Sequence, residues 1–306
     1  MRPIITPLRL TIGLPTFEGE AYLLACLENI AKQTYRNFEV LIYDNASTDH
    51  TGHLAREFAS KDPRFRYFRQ NKNVPALVNF IDVLEAARTP FFIWRADDDS
   101  WSPDYLEKLV GVYDANPGAK LVVSKIIVER ADGSHRQTFD YRYFGFGHTA
   151  RMRQLHHCQP SWIYGLFERE RLTEIMQVVR TRYDEAWASD YLIIFYYGLK
   201  GFIAGTNDAF FVQRTHVVRK RAQGGEAAHR WKRSYRTVIE KMNFYDEMRR
   251  RFSTLAREWI NDETNSIFQK LMWKMFLFNF MGRRLFKWRT IYRRKLLHLI
   301  RKRPLQ

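Results

Sequence analysis

The chain has 306 residues, 45% of them hydrophobic and 15% aromatic, which gives ample length for a buried core and excludes a disordered polypeptide. Its net charge of +17 is uneven: from Glu226 to Gln306 there are 21 Lys and Arg against 7 Asp and Glu, and the preceding three quarters are nearly neutral. Two cysteines exclude a disulfide framework and point to a reducing compartment.

Leu8 to Thr16 reads as a strand that ends in a Pro15-Thr16 turn, and Glu18 to Lys32 follows with apolar residues at helical spacing. No sustained apolar core marks a secretory signal in Met1 to Thr11, so cytoplasmic residence is expected. Phe38 to Tyr43 is a second strand, closing at Asp44-Asn45-Ala46-Ser47-Thr48-Asp49. A strand, a helix and a strand in this rhythm imply a right-handed crossover and a parallel sheet, whose ligands bind beyond the C-terminal strand ends. His53 to Ser60 and Ala76 to Ala87 are helical, with a short strand at Phe65 to Phe68 between them.

Phe91 to Trp94 is an apolar strand that runs into Arg95-Ala96-Asp97-Asp98-Asp99. Three adjacent carboxylates at a strand end repel one another and persist cheaply only beside a compensating cation. Hard oxygen ligands of this kind suit Mg²⁺ or Mn²⁺. The competing structural explanation is an acidic turn in which Asp99 or Ser102 caps the helix after Pro103. Tyr105 to Ala115 is a helix, and Leu121 to Val128 is a strand turning at Asp132-Gly133. Phe139 to Gln159 lacks clean periodicity and reads as a loop over the site. Ser161 to Phe167 reads as a strand, Arg169 to Val179 as a helix, and Ser189-Asp190 opens a helical run to Leu199. Two strands, Phe202 to Gly205 and Ala209 to Gln213, then lead to Arg214 and His216.

From about Arg9 to His216 the chain resembles the family 2 glycosyltransferases. The resemblance rests on Pro15-Thr16-Phe17-Glu18, Gln33 to Val40, the Asp44 to Asp49 turn, Ala96-Asp97-Asp98-Asp99 followed by Pro103, and Ser189-Asp190 ahead of a helix. It implies a GT-A fold, an α/β architecture with a mixed, mainly parallel central sheet flanked by helices. It also implies an inverting, metal-dependent transfer of sugar from a nucleotide-sugar donor, UDP-linked by preference, to a glycan or lipid-linked acceptor, as in surface polysaccharide assembly. Asp190 then matches the general base, and Asp97 and Asp99, with His216 as a third ligand, match the site for Mn²⁺ or Mg²⁺. Pro15, Thr16, Glu18, Asp44, Asn79, Arg95, Asp97, Asp98 and Arg214 fall to the donor pocket, with Asp44 on the nucleotide base. The chain carries Ala96 where many relatives begin their acidic run, so which of Asp97, Asp98 and Asp99 touches the metal stays open. Arg219, Lys220 and Arg221 join Arg214 as candidate diphosphate clamps, and Trp162, Tyr164 and Trp187 as candidate sugar platforms.

The composition changes near Gly224-Gly225, dividing a catalytic domain at 1–224 from a basic helical region at 225–306. From Gly282 to Gln306 ten Lys and Arg, without an Asp or Glu, alternate with Leu, Ile, Trp and Tyr. A basic amphipathic helix of this kind is expected to lie on an anionic membrane surface, here the cytoplasmic face. The other classes weighed are a nucleic-acid-binding protein, which leaves the strand-end acids unexplained, and a nucleotidyltransferase, whose basic Gly-rich loop is missing after the first strand.

Overall fold

The computed structural model describes residues 8–130, 132, 135–215 and 238–285. Its centre is a mixed sheet in the order β3-β2-β1-β4-β8-β6-β9-β5, with β7 paired to β6. β1 (Leu10–Thr16), β2 (Phe38–Asp44), β3 (Phe65–Arg69) and β4 (Phe91–Trp94) are mutually parallel, in a register that sets Thr16 beside Asp44 and Asp44 beside Arg69. Helices α1 (Leu23–Ala31), α2 (Thr51–Lys61) and α3 (Ala76–Ala86) make the crossovers. Each presents one apolar stripe: Leu23, Cys26, Leu27 and Ile30 of α1 are buried, as are Ile81, Val83 and Leu84 of α3. The parallel arrangement leaves the polar turns after Thr16, Asp44 and Trp94 at one edge of the sheet.

Beyond β4 the pairing changes. β6 (Leu121–Arg130), which follows α4 (Tyr105–Ala115), runs antiparallel to β7 (Arg136–Phe139) and β8 (Leu166–Glu168), yet parallel to β9 (Ile203–Thr215). β9 is one strand where the sequence suggests two. A register shift opposite Ser124 and Lys125 accommodates the polar Thr206-Asn207-Asp208 run. The two-residue β5 (Ser100–Trp101) pairs antiparallel with Phe211 and Val212 of β9.

Two further expectations are corrected. Phe139 to Gln159 is not one loop, because His148–His157 forms α5; only Ala150, Gln154 and Leu155 of it are buried, too few to leave a periodic signal. Ser161 to Phe167 is not a strand. Pro160–Tyr164 is a 3₁₀ turn, and β8 begins only at Leu166. The aromatic residues that suggest β structure there owe their burial to packing, as with Tyr164 stacked on Phe211 at 5.1 Å.

α6 (Arg169–Val178) runs into a π turn at Val179–Tyr183, and α7 (Ser189–Lys200) follows. α8 (Val238–Glu263) and α9 (Ile267–Arg284) pack on α7 and α5, with Phe252, Trp273 and Phe280 around Phe195. These helices share the apolar core of the sheet. Most of the basic stretch from Gly282 to Gln306 lies outside the described residues, and no described helix is long and apolar enough to cross a membrane.

Candidate active site

Two turns at the sheet edge interlock. Glu18 adopts a left-handed conformation (φ 52°), which a non-glycine residue holds only when its surroundings fix it. Here they do: its amide donates to Ser47 Oγ at 2.9 Å, and its carboxylate accepts from the Thr48 amide and hydroxyl at 2.8 and 2.9 Å. Asp44 is completely buried. Its Oδ1 accepts from the Ser47 amide at 2.8 Å, and its Oδ2 from Tyr67 at 2.7 Å and Arg69 at 3.0 Å. α2 begins only at Thr51, so Asp44 does not cap it. Pro15 is buried beside Tyr43 within the sheet.

The acidic turn lies beside this pair. Thr16 Oγ1 donates to Asp97 Oδ2 at 2.6 Å, and Gly19 packs so close that a Cβ there would lie 2.4 Å from the same oxygen. The β5–β9 pairing carries the chain past Val212, so Asp99 Oδ1 receives the Arg214 amide at 2.9 Å. Burial, then the Asp98 charge, pushes the Asp99 carboxyl up to about 7, although Arg95 and the Arg214 amide oppose the shift. Ser102 bonds the β9 backbone rather than capping α4.

Asp190 enters from the other half, in the first turn of α7, behind Ala188 in a left-handed conformation. Burial drives its carboxyl up to about 6, against the Tyr191 amide that bonds it at 2.7 Å. Ser189 turns away to the Ala186 carbonyl. A cavity of about 220 Å³ opens here, bounded by Asp190, Ser161, Gln213, Tyr164, Phe80 and Trp94. The buried Tyr164 hydroxyl is raised by desolvation and then by the charges of Asp99, Asp98, Asp190 and Asp97, in that order. Gln213 of the cavity wall precedes Arg214, whose amide bonds Asp99, so the cavity and the acidic turn meet across β9, although Asp190 is far from the other acids in sequence.

The remaining candidates fall elsewhere. Arg95 is fully buried beneath the acidic turn, over the Trp101 ring, and donates to the Asp99 carbonyl and to Asn29. Asn79 is also internal, with its amide on the Tyr43 carbonyl and its oxygen on Gln70. The Arg214 guanidinium is 3.9 Å from Glu129. Trp162 is buried beside Tyr141, and Trp187 packs on Tyr245. His216, Arg219, Lys220 and Arg221 lie outside the described residues. Sequence reasoning missed Tyr67 and Arg69, which hold Asp44, and Ser161 and Gln213, joined by a 2.7 Å hydrogen bond at the cavity wall. Only the alternating Phe65 to Arg69 strand gave a signal for the first pair.

Among the described residues no group of three or more His, Cys, Asp or Glu side chains is placed to hold a metal ion. The acidic turn nonetheless suits a divalent cation. Its donors are hard carboxylate oxygens, with Asp99 desolvated and repelled by Asp98, and Mg²⁺-type ions bind through one or two carboxylates with substrate oxygens completing the shell.

The Glycosyl transferase family 2 profile matches residues 11–173, more than half of the chain. The chain belongs to this family. It is 35% identical over 95 residues to the putative glycosyltransferase EpsH of Bacillus subtilis, covering 31% of this chain and 27% of EpsH. It is 33% identical over 104 residues to the glycosyltransferase GlyA of Streptococcus pneumoniae, covering 33% of this chain and 14% of GlyA. The chain therefore spans well under half the length of these relatives. In fold it resembles S. aureus TarS 1–349 in complex with UDP-GlcNAc, with a TM-score of 0.63 and 16% identity over 90% of this chain and 72% of that one. The mannosyltransferase PcManGT of Pyrobaculum calidifontis in complex with GDP-Man and Mn²⁺ matches with a TM-score of 0.51 and 15% identity, over 91% and 86% of the two chains. The architecture is thus that of GT-A enzymes, a central sheet flanked by helices.

Proposed function

We propose that the protein is an inverting glycosyltransferase that moves a sugar from a nucleoside-diphosphate sugar to a hydroxyl of a glycan or lipid-linked acceptor at the cytoplasmic face of a membrane. The observation that carries this reading is that Asp190 and Gln213 bound one cavity while the next residue, Arg214, bonds Asp99 through its amide, so Asp190 and the acidic turn meet across β9. Raised to about 6, Asp190 is a stronger base than an ordinary carboxylate and still ionised at neutral pH. It takes the proton of an acceptor hydroxyl in the cavity while that oxygen bonds to the anomeric carbon. The bond from that carbon to the donor phosphate breaks, and the electron pair leaves with the nucleoside diphosphate. Attack from the opposite face inverts configuration in one step, so no nucleophilic side chain is required.

Asp97 and Asp99 are the residues that would hold Mn²⁺ or Mg²⁺, with His216 as the further candidate. When bound, the ion supplies Lewis-acid neutralisation of the departing diphosphate. Thr16 and Gly19 fix Asp97, and the Arg214 amide fixes Asp99, so the turn is oriented before substrate arrives. Asp44 is the candidate for a ring N–H of uracil, and Ser47, Tyr67 and Arg69 hold its carboxylate in place. UDP is the favoured nucleotide, and the UDP-GlcNAc complex of TarS supports the choice. Pro15, Thr16, Glu18, Asp98 and Arg214 frame the rest of the donor pocket.

A thermal-shift panel of UDP, GDP and dTDP, each with its sugars and with Mn²⁺, tests the reading. A ligand that binds only the folded state raises its melting temperature. Protection by a UDP-sugar that disappears with EDTA is expected. No protection by any nucleotide, together with no nucleotide release in the presence of acceptor glycans, overturns it.

A further inference from the structure

The outer face of α9 is unusual for a helix packed on a core. Trp273, Leu277, Phe280 and Met281 are buried, as a docked helix requires. On the opposite side Ile267, Phe268, Leu271, Met275 and Phe278 are between 57% and 84% exposed. The last four are spaced three, four and three residues apart, which places them in one row along the helix. A row of large apolar residues left in solvent marks an interaction surface.

Charge decides what covers it. α9 contains no Asp or Glu, whereas Lys270 and Lys274 flank the row on one side. On the other side a pocket of about 260 Å³ is bounded by His156, Asn279, Arg283 and Arg284. A second copy docked along this row would set like charges against like. Residues 286–306, which carry eight Lys and Arg and no acid, would do the same if they folded over it. An anionic bilayer accepts the apolar row and neutralises its rim together, and each basic residue near such a surface adds about 1 kcal/mol.

We propose that the outer face of α9 is a membrane-docking surface for anionic phospholipid, with Phe268, Leu271, Met275 and Phe278 entering the headgroup boundary and Lys270, Lys274 and Arg283 meeting lipid phosphates. This assigns the contact to a helix distinct from the basic stretch at the chain's end, and it stands independently of the transfer chemistry. Its geometry has a consequence for the site. The inner face of α9 touches Tyr191, next to Asp190, through Phe280 at 5.9 Å and Arg284 at 5.8 Å. Docking therefore places the start of α7, which carries Asp190, directly behind the docked helix.

Flotation of the full chain with phosphatidylcholine vesicles, with and without phosphatidylglycerol, tests this. Flotation only with the anionic lipid, weakened by salt, is expected. Leu271→Ser, Met275→Ser and Phe278→Ser together, all at exposed positions, should lower the partition coefficient about tenfold or more without changing the circular dichroism spectrum or thermal unfolding. Lys270→Gln, Lys274→Gln and Arg283→Gln should each lower it about fivefold. Failure of the parent to float overturns the proposal, as does undiminished flotation of the triple serine variant. Loss of flotation only on deleting residues 286–306 assigns the contact to that segment instead. A parent that sediments as a dimer, does not float, and becomes monomeric in the serine variant identifies a second copy as the occupant.

Discussion

The two acidic turns at the sheet edge are built from similar residues and differ in how their charge is answered. In the Asp44 turn one carboxylate has an amide, a phenol and a guanidinium, and Glu18 locks the loop from outside. The Asp97 to Asp99 turn concentrates more charge. It holds three acids over one buried arginine, and the carboxyl of Asp99 is driven up to about 7. One turn braces a single carboxylate with three donors, while the other holds adjacent acids whose repulsion a cation or a proton lowers. A site that binds a base at one end and a diphosphate at the other needs both kinds.

The sharpest way to break this contrast is through Asp190, the acid that neither turn contains. Asp190→Asn should lower kcat by a factor of about 10² to 10⁴ and leave nucleotide protection in the thermal-shift panel unchanged. In the parent, kcat/KM should fall as pH drops below about 6, with unit slope, because only the ionised carboxylate takes a proton. Full turnover by the asparagine variant removes Asp190 from the chemistry.

Asp99 gives a second separation, read in stability as well as rate. Its folded carboxyl titrates near 7, against an ordinary value of 3.8. The folded state therefore binds this proton more tightly than the unfolded chain does. The stability Asp99 contributes is fully present below about pH 4 and is lost as pH rises through about 7. In EDTA the melting temperature should rise from about pH 8 to about pH 6, and Asp99→Asn should flatten that rise. With Mn²⁺ present the slope should shrink in the parent as well, since a cation replaces the proton. Identical pH profiles for parent and variant would falsify the account of Asp99 as a carboxyl raised by burial and its acidic neighbour. Transfer by Asp99→Asn should also fall, by less than for Asp190→Asn, because Asp97 and Asp98 remain.

What could be read from the sequence follows the same division. The parallel half was legible because its strands, apolar helix stripes and strand-end turns are local patterns whose crossover has one hand. The acids at Asp97 to Asp99 were legible because like charges at a strand end have few structural uses. The union of Asp190 with them was implied only by resemblance, since it depends on β4, β8, β6 and β9 assembling in an order that no local pattern sets. α5 was missed because just three of its residues are buried, and the 3₁₀ turn at Pro160–Tyr164 because Trp162 and Tyr164 imitate a strand. Arg95 and Asn79 were assigned to the donor pocket on sequence position, and both proved internal.

Gly19 tests how finely the acidic turn is set. A methyl group there would stand 2.4 Å from Asp97 Oδ2 and 2.6 Å from Thr16 Oγ1. Both are ends of side chains that can swing aside, so Gly19→Ala should cost little stability and instead displace Asp97. Transfer should drop about tenfold, with a raised Mn²⁺ requirement, since a misplaced positioning group costs rate before it costs folding. A variant with lowered melting temperature and normal transfer would show that Gly19 serves packing alone.

The smallest effect should come from the turn whose single carboxylate is already braced. Tyr67→Phe removes one of two donors from Asp44 Oδ2 and leaves Arg69 in place. Losing a hydrogen bond to a buried carboxylate costs about 1 to 2 kcal/mol, a drop of roughly 2–8 °C in melting temperature for a chain of this size. Because the change weakens the wall that presents Asp44 and leaves Asp97, Asp99 and Asp190 untouched, the KM for a uridine donor should rise a few-fold, about the loss of one weak contact, while kcat holds. A fall in kcat with constant KM would instead mean that the two turns are energetically coupled through Thr16 and Gly19, and that the Asp44 turn takes part in orienting the acids rather than standing apart from them.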